Sequence, residues 1–126
     1  MKLLTVDDSR TIRRVISGVG AMLGYEVLEA ENGMVALKVL EESGHEVGLI
    51  LLDWNMPGMN GLEVLKAVKA DERWTHIPVM MVTTEGEKDY IIKSIQAGAV
   101  HYMTKPFSQE DMAGRIMEAM GMGGMG

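Results

Sequence analysis

Three kinds of side chain in this sequence, placed at the ends of apolar runs, could together move a phosphoryl group. Asp7 and Asp8 follow the run Leu3-Leu4-Thr5-Val6, and Asp53 follows Leu49-Ile50-Leu51-Leu52. Thr83 and Thr84 follow Val79-Met80-Met81-Val82, and Lys105 follows Tyr102-Met103-Thr104. Each run reads as a buried strand, so each polar group falls where a strand ends. In an open parallel sheet that edge is where ligands bind. Carboxylates crowded there repel one another unless a cation intervenes, and hard oxygen donors suit Mg2+. Acids, a hydroxyl and an amine in this order suggest transfer of a phosphoryl group to a carboxylate.

Taken singly, each group has an ordinary explanation. An acid pair after a strand is a common helix N-cap, and Asp53 could cap a turn. Lys105 alone is a surface amine, Thr83 is strand-end polarity, and Tyr102 is a packing residue. The weight lies in their joint placement, so the elements that position them matter.

Hydrophobic periodicity predicts regular alternation of strands and helices. Strands are expected over residues 2–6, 25–30, 47–52, 77–82 and 100–103. Helices are expected over 9–23, 33–43, 62–70, 87–97 and 108–120. Ile12, Val15, Ile16, Val19 and Leu23 form the inward stripe of the first helix, Leu37 and Leu40 that of the second, and Leu62, Leu65 and Val68 that of the third. Gly24, Gly44 and Gly98 are the expected helix stops, and Ser108 is a candidate N-cap. Pro78 is tolerated at the start of a strand. The third strand is apolar throughout and is expected at the centre. Residues 121–126, only Gly and Met, read as a flexible tail after one domain of residues 1–120.

Five strands alternating with five helices predict an α/β sandwich of three layers, a parallel sheet covered on both faces. The order 2-1-3-4-5, taken by analogy from flavodoxin-like folds, sets the first and third strands side by side. It brings Asp7, Asp8 and Asp53 to one crevice.

Composition removes several function classes. The chain has 126 residues, is 47% hydrophobic and suits one core rather than two. With no cysteine there is no disulfide, thiolate nucleophile or zinc–thiolate site. A net charge of −6 without a basic stripe argues against nucleic acid. No signal peptide or membrane span is evident, so a cytoplasmic protein is expected. His45, His76 and His101 lack ligand spacing. The thirteen methionines read mostly as core filler. Arg10, Arg13 and Arg14 share a helical face, read as solvated or as a docking surface for a phosphodonor protein.

The motifs Asp7-Asp8, Asp53 to Gly61 (DWNMPGMNG), Val82-Thr83, Ala97-Gly98-Ala99 and Lys105-Pro106-Phe107 resemble those of response regulator receiver domains, and most closely the stand-alone, CheY-like chemotaxis regulators. The resemblance runs from residue 2 to about residue 120. It implies that Asp53 is phosphorylated by a histidine kinase. It implies Mg2+ held by Asp8, Asp53 and the main-chain carbonyl of Asn55, with Asp7 acting through water. Thr83 and Lys105 would contact the phosphoryl oxygens, Tyr102 would be the switch aromatic, and Lys105–Pro106 would be a cis bond. Asn55 and Glu85, the pair found at these positions in the stand-alone regulators, would tune dephosphorylation.

No output domain is expected after the last helix, so output is expected by contact of a monomer with a downstream protein, such as the flagellar motor. The output face is expected around Ile91, Ile95, Ala99 and Lys105. A phosphate sink or phosphorelay shuttle is the runner-up. An aspartyl-nucleophile phosphatase of the haloacid dehalogenase type fits less well, because its nucleophile follows the first strand in an Asp-x-Asp pattern. A flavodoxin-like electron carrier would need a Ser/Thr/Gly-rich phosphate loop where Asp7-Asp8-Ser9 stands.

Overall fold

The computed structural model of the chain describes residues 1–121. Most of the expected Gly/Met tail, residues 122–126, therefore lies outside the described residues. Five parallel strands, β1 (Lys2–Val6), β2 (Glu26–Ala30), β3 (Val47–Leu52), β4 (Val79–Thr83) and β5 (His101–Thr104), form one sheet in the order β2-β1-β3-β4-β5. Five helices alternate with them: α1 (Arg10–Met22), α2 (Gly33–Ser43), α3 (Gly61–Ala70), α4 (Lys88–Gln96) and α5 (Gln109–Ala119).

The central strands are apolar on both faces because both faces are covered. From β3, Leu49 and Leu51 point into one core with Ile16 and Val19 of α1 and Met112 and Ile116 of α5. Ile50 and Leu52 point into the other, with Ala36 and Leu40 of α2 and Val64, Leu65 and Val68 of α3. Period-two alternation along each strand thus fills two cores at once.

Four of the five helices start on a side-chain cap. Ser9 accepts the Ile12 N–H at 3.3 Å, Asn32 the Val35 N–H at 2.9 Å, and Ser108 the Asp111 N–H at 3.0 Å. Asn60 and Glu63 form a reciprocal capping box at the start of α3. α4 begins at Glu87 without a side-chain cap, and its only buried residue is Ser94, whose hydroxyl has no partner. It is the least firmly seated helix.

Several boundaries differ from the sequence expectation. β5 runs from His101 to Thr104 rather than from Val100 to Met103, and Val100 is left exposed. Its N–H is tied in, to the Val79 carbonyl at 2.9 Å. Pro78 precedes β4 and contributes its carbonyl to Ile50 N–H. Gly44 does not simply end α2; it opens a 3-10 turn, Gly44–Glu46. On α3 the buried stripe is Val64, Leu65 and Val68, with Leu62 only half-buried. The loop before α3 holds Gly61 against the sheet edge, and the stripe shifts from Leu62 to Val64 while Leu65 and Val68 stay inward.

Candidate functional site

The site is built from the C-terminal ends of β1, β3, β4 and β5. Asp7 and Asp53 continue β1 and β3, and their backbones remain tied to the sheet. Asp7 N–H donates to the Ala30 carbonyl and Asp53 N–H to the Val6 carbonyl. Gly61 closes the loop after Asp53 by donating to the Trp54 carbonyl at 2.8 Å. A Cβ at Gly61 would collide with the Asp53 carbonyl oxygen, so only glycine lets α3 start this close to the strand end.

Asp7, Asp8 and Asp53 each offer a carboxylate oxygen, and the three lie within 4.8 Å of one another. Asp7 is 2% and Asp53 5% exposed, while Asp8 faces solvent. Lys105 crosses from β5 to pair with Asp7 at 2.6 Å and with Asp53 at 3.3 Å. Asp7 also accepts the Ser9 N–H at 2.9 Å. Burial pushes the Asp7 carboxyl above its usual range, and the neighbouring Asp53 charge adds to this; Lys105 and the Ser9 amide pull the other way.

The donor set is all oxygen, and it carries more negative charge than one lysine balances. Both features fit Mg2+, and Asp8 is the exposed member of the three. A depression of about 350 Å3 lined by Asp8, Trp54, Asn55, Met56, Pro57 and Asn60 leads to it.

The remaining candidates form a second ring. Thr83 ends β4, fully buried, and its hydroxyl accepts the Glu85 N–H at 3.3 Å. Lys105 N–H donates to the Thr83 carbonyl at 2.9 Å, tying β5 to β4 beside the acids. Asn55 Nδ2 donates to Glu85 Oε1 at 2.5 Å. The Tyr102 hydroxyl donates to the Glu85 carbonyl, so the β4–α4 loop is held from two sides. The Lys105–Pro106 bond is cis, as expected.

Both the sequence and the fold match a known family. The sequence profile of the response regulator receiver domain matches residues 3–117. The chain belongs to the response regulator receiver family. Relatives match it over nearly its whole length. It is 44% identical to chemotaxis protein CheY1 of Helicobacter pylori strain J99, covering 96% of this chain and 98% of that one. It is 44% identical to chemotaxis protein CheY of Pseudomonas aeruginosa, covering 92% and 93%. Among solved structures, chemotaxis response regulator CheY4 of Vibrio cholerae superposes with a TM-score of 0.87 at 33% identity, covering 94% of this chain and 97% of that one.

Two expectations about the surface of the receiver need correction. Ala99 is buried and Lys105 points into the site, so neither forms an output face. The exposed apolar residues near α4 and β5 are Ile92, Ile95 and Val100, with Ile91 half-buried. Nor do the three arginines of α1 form one free face. Arg10 and Arg14 are exposed, but Arg13 bonds to Glu29 and to the Asp7 carbonyl. Sequence spacing alone could not find that contact, because Glu29 is 16 residues from Arg13 in the chain. Among the described residues no helix is long and apolar enough to cross a membrane.

Proposed function

We propose that this receiver accepts a phosphoryl group from a histidine kinase on Asp53, with Mg2+, and signals by contact with a downstream protein in chemotaxis. The observation that carries the reading is the cluster of three carboxylates at the strand ends, two of them, Asp7 and Asp53, bridged by Lys105. The kinship to chemotaxis CheY proteins supports the pathway.

Asp8, Asp53 and the main-chain carbonyl of Asn55, with Asp7 acting through water, would hold Mg2+, which would supply charge neutralisation for the transferring group. The Asp53 carboxylate attacks phosphorus as the P–N bond to the kinase histidine breaks. The electron pair leaves with the imidazole nitrogen, which then takes a proton from solvent. Lys105 already lies 3.3 Å from Asp53, so its ammonium follows the new phosphoryl oxygens while keeping Asp7 paired. Positioning and charge stabilisation of this kind account for most catalysis of phosphoryl transfer.

Thr83 would donate its hydroxyl to the phosphoryl group, and its turning would disturb the Glu85 amide bond it now accepts. Because Tyr102 holds the carbonyl of the same Glu85, movement of this loop reaches Tyr102 directly. That gives a two-state element which phosphorylation biases. A short-lived phosphate would also serve a sink or shuttle.

Incubation with acetyl phosphate and Mg2+ tests the site: mass spectrometry is expected to find one phosphoryl group, on Asp53, and none in Asp53→Asn. Label on Asp7 or Asp8 would refute these roles. Transfer from a chemotaxis kinase of the same organism, faster than from its other kinases, tests the pathway.

A further inference from the structure

Arg13 is not one of the clustered acids, yet it grips their main chain. It lies in the first turn of α1, and its Nη1 donates to the carbonyl oxygen of Asp7 at 2.7 Å. Its Nε donates to Glu29 Oε1, on β2, at 3.0 Å. The arginine side chain is 13% exposed. The carbonyl it holds belongs to the peptide that joins Asp7 to Asp8.

The two acids are secured very differently. Asp7 has the Ser9 amide and Lys105 as partners. The Asp8 carboxylate is exposed and, among the described residues, has no hydrogen bond or ion pair. With no side-chain partner, what constrains Asp8 is its backbone, which sets the position of its Cα and the rotamers open to it. Arg13 pins the Asp7–Asp8 peptide, and so the point from which that carboxylate projects.

On charge grounds a guanidinium is out of place here. The first turn of a helix is the positive end of its macrodipole and disfavours cations. A cation beside a metal site also repels the metal. Glu29 removes most of that cost by neutralising the charge. What arginine then supplies is its rigid fork, two donors at a fixed angle that reach a carbonyl and a carboxylate together.

We propose that Arg13 is a positioning residue for the metal site: it locks the Asp7–Asp8 peptide so that Asp8 is oriented for the cation before the cation arrives, and Glu29 aims and neutralises the guanidinium. The proposal rests on the Mg2+ reading of the acid cluster. Groups that orient metal ligands in this way typically cost about tenfold or more in metal affinity when removed.

The sign of the effect separates positioning from charge. If Arg13 acted only as a nearby cation, removing it would tighten Mg2+ binding, and the change would fade at high salt. If it positions Asp8, removing it weakens binding, and the loss persists in salt. The experiment is Mg2+ titration of tryptophan fluorescence on the full chain and on Arg13→Met, Arg13→Lys and Glu29→Gln, at low and high salt. Circular dichroism melting confirms that each protein is folded at the titration temperature.

The expected result is roughly tenfold weaker binding in Arg13→Met at both salt concentrations. Arg13→Lys is expected to restore part of it, since one donor can still reach the carbonyl, and Glu29→Gln is expected to show a smaller loss. Unchanged or tighter binding in folded Arg13→Met overturns the proposal. Should that variant not fold, Glu29→Gln decides: binding equal to the unmutated chain overturns it. No Mg2+ binding by the unmutated chain would sink the metal site itself, and this proposal with it.

Discussion

Asn55 and Glu85 stand thirty residues apart in the chain and are joined side chain to side chain, Nδ2 to Oε1 at 2.5 Å. Asn55 follows the nucleophile by two residues, and Glu85 follows Thr83 by two. The bond therefore spans the mouth of the site between the β3 and β4 loops. On the proposed function, water attacking an Asp53 acyl phosphate in line would pass this pair, and both side chains could hydrogen-bond it. Replacing Asn55 or Glu85 by a bulkier apolar residue is expected to lengthen the phosphorylated lifetime about tenfold, a barrier change of ~1.4 kcal/mol. Decay of the phosphorylated protein after removal of the donor measures this; unaltered decay in both variants would remove the pair from the mechanism.

Metal binding should be visible without any phosphodonor. Trp54 lines the depression beside Asp8, so Mg2+ is expected to quench or shift its fluorescence over the background of Trp74. Because the cation relieves repulsion among three carboxylates, it should also raise the melting temperature. At a free Mg2+ concentration about 100 times Kd the gain is ~2.7 kcal/mol. Asp8→Ala should abolish both effects, and an unchanged titration in that variant would refute the ligand assignment.

Among the described residues, Lys105 is the one cation paired with the acid cluster, with its side chain 12% exposed. Lys105→Met leaves Asp7 and Asp53 buried and unpaired. Loss of one partner of a buried pair costs roughly 3 kcal/mol. Urea unfolding without metal is expected to show that loss, and Mg2+ should recover more stability in the variant than in the unmutated chain. Phosphorylation of Asp53 is expected to be impaired while Mg2+ binding is kept. Equal midpoints for the two metal-free proteins would show that Lys105 is not a structural counter-ion.

The Tyr102 hydroxyl is pushed up to about 12 by burial first, and then by the charges of Glu85, Tyr90 and Asp53. Its folded value lies above its unfolded value near 10. The associated stabilisation is therefore fully present below pH 10 and is lost as pH rises through about 12. Ultraviolet titration should show one of the three tyrosines ionising late, and that step should vanish in Tyr102→Phe. A late step that survives the substitution would assign it to another tyrosine.

The exposed apolar group of Ile92, Ile95 and Val100 lies on α4 and at the start of β5, beside the helix with the weakest anchoring. An apolar surface on a loosely held helix suits a partner helix whose docking follows the Tyr102–Glu85 contact. Beryllofluoride, a phosphoryl mimic, is expected to tighten binding of a target peptide there. Ile95→Asp should weaken that binding about tenfold, or ~1.4 kcal/mol, with Asp53 still phosphorylated. Tyr102→Ala should instead reduce the difference made by beryllofluoride. Equal peptide affinity with and without the mimic in the unmutated protein would place the output elsewhere.

Much of this protein could be read from residue order. Strands and helices announce themselves through periods of two and 3.6, because burial on one face or two leaves that imprint on the sequence. Asp7, Asp8, Asp53, Thr83 and Lys105 could be nominated because each lies at or just past the end of a strand, and the sheet edge is where such positions converge. What could not be read was set by contacts between distant segments. The close seat of Gly61 on Asp53 turned α3 so that Val64 rather than Leu62 became core. The covering of Ala99 and the inward reach of Lys105 moved the exposed apolar face to Ile92, Ile95 and Val100. Arg13 looked like one of three solvated arginines until β2 brought Glu29 alongside it and β1 offered the Asp7 carbonyl. Periodicity reports how often a side chain is buried, which is a local property. Which partner it meets depends on the packing of strands and helices far apart in the chain, and only the folded molecule decides that.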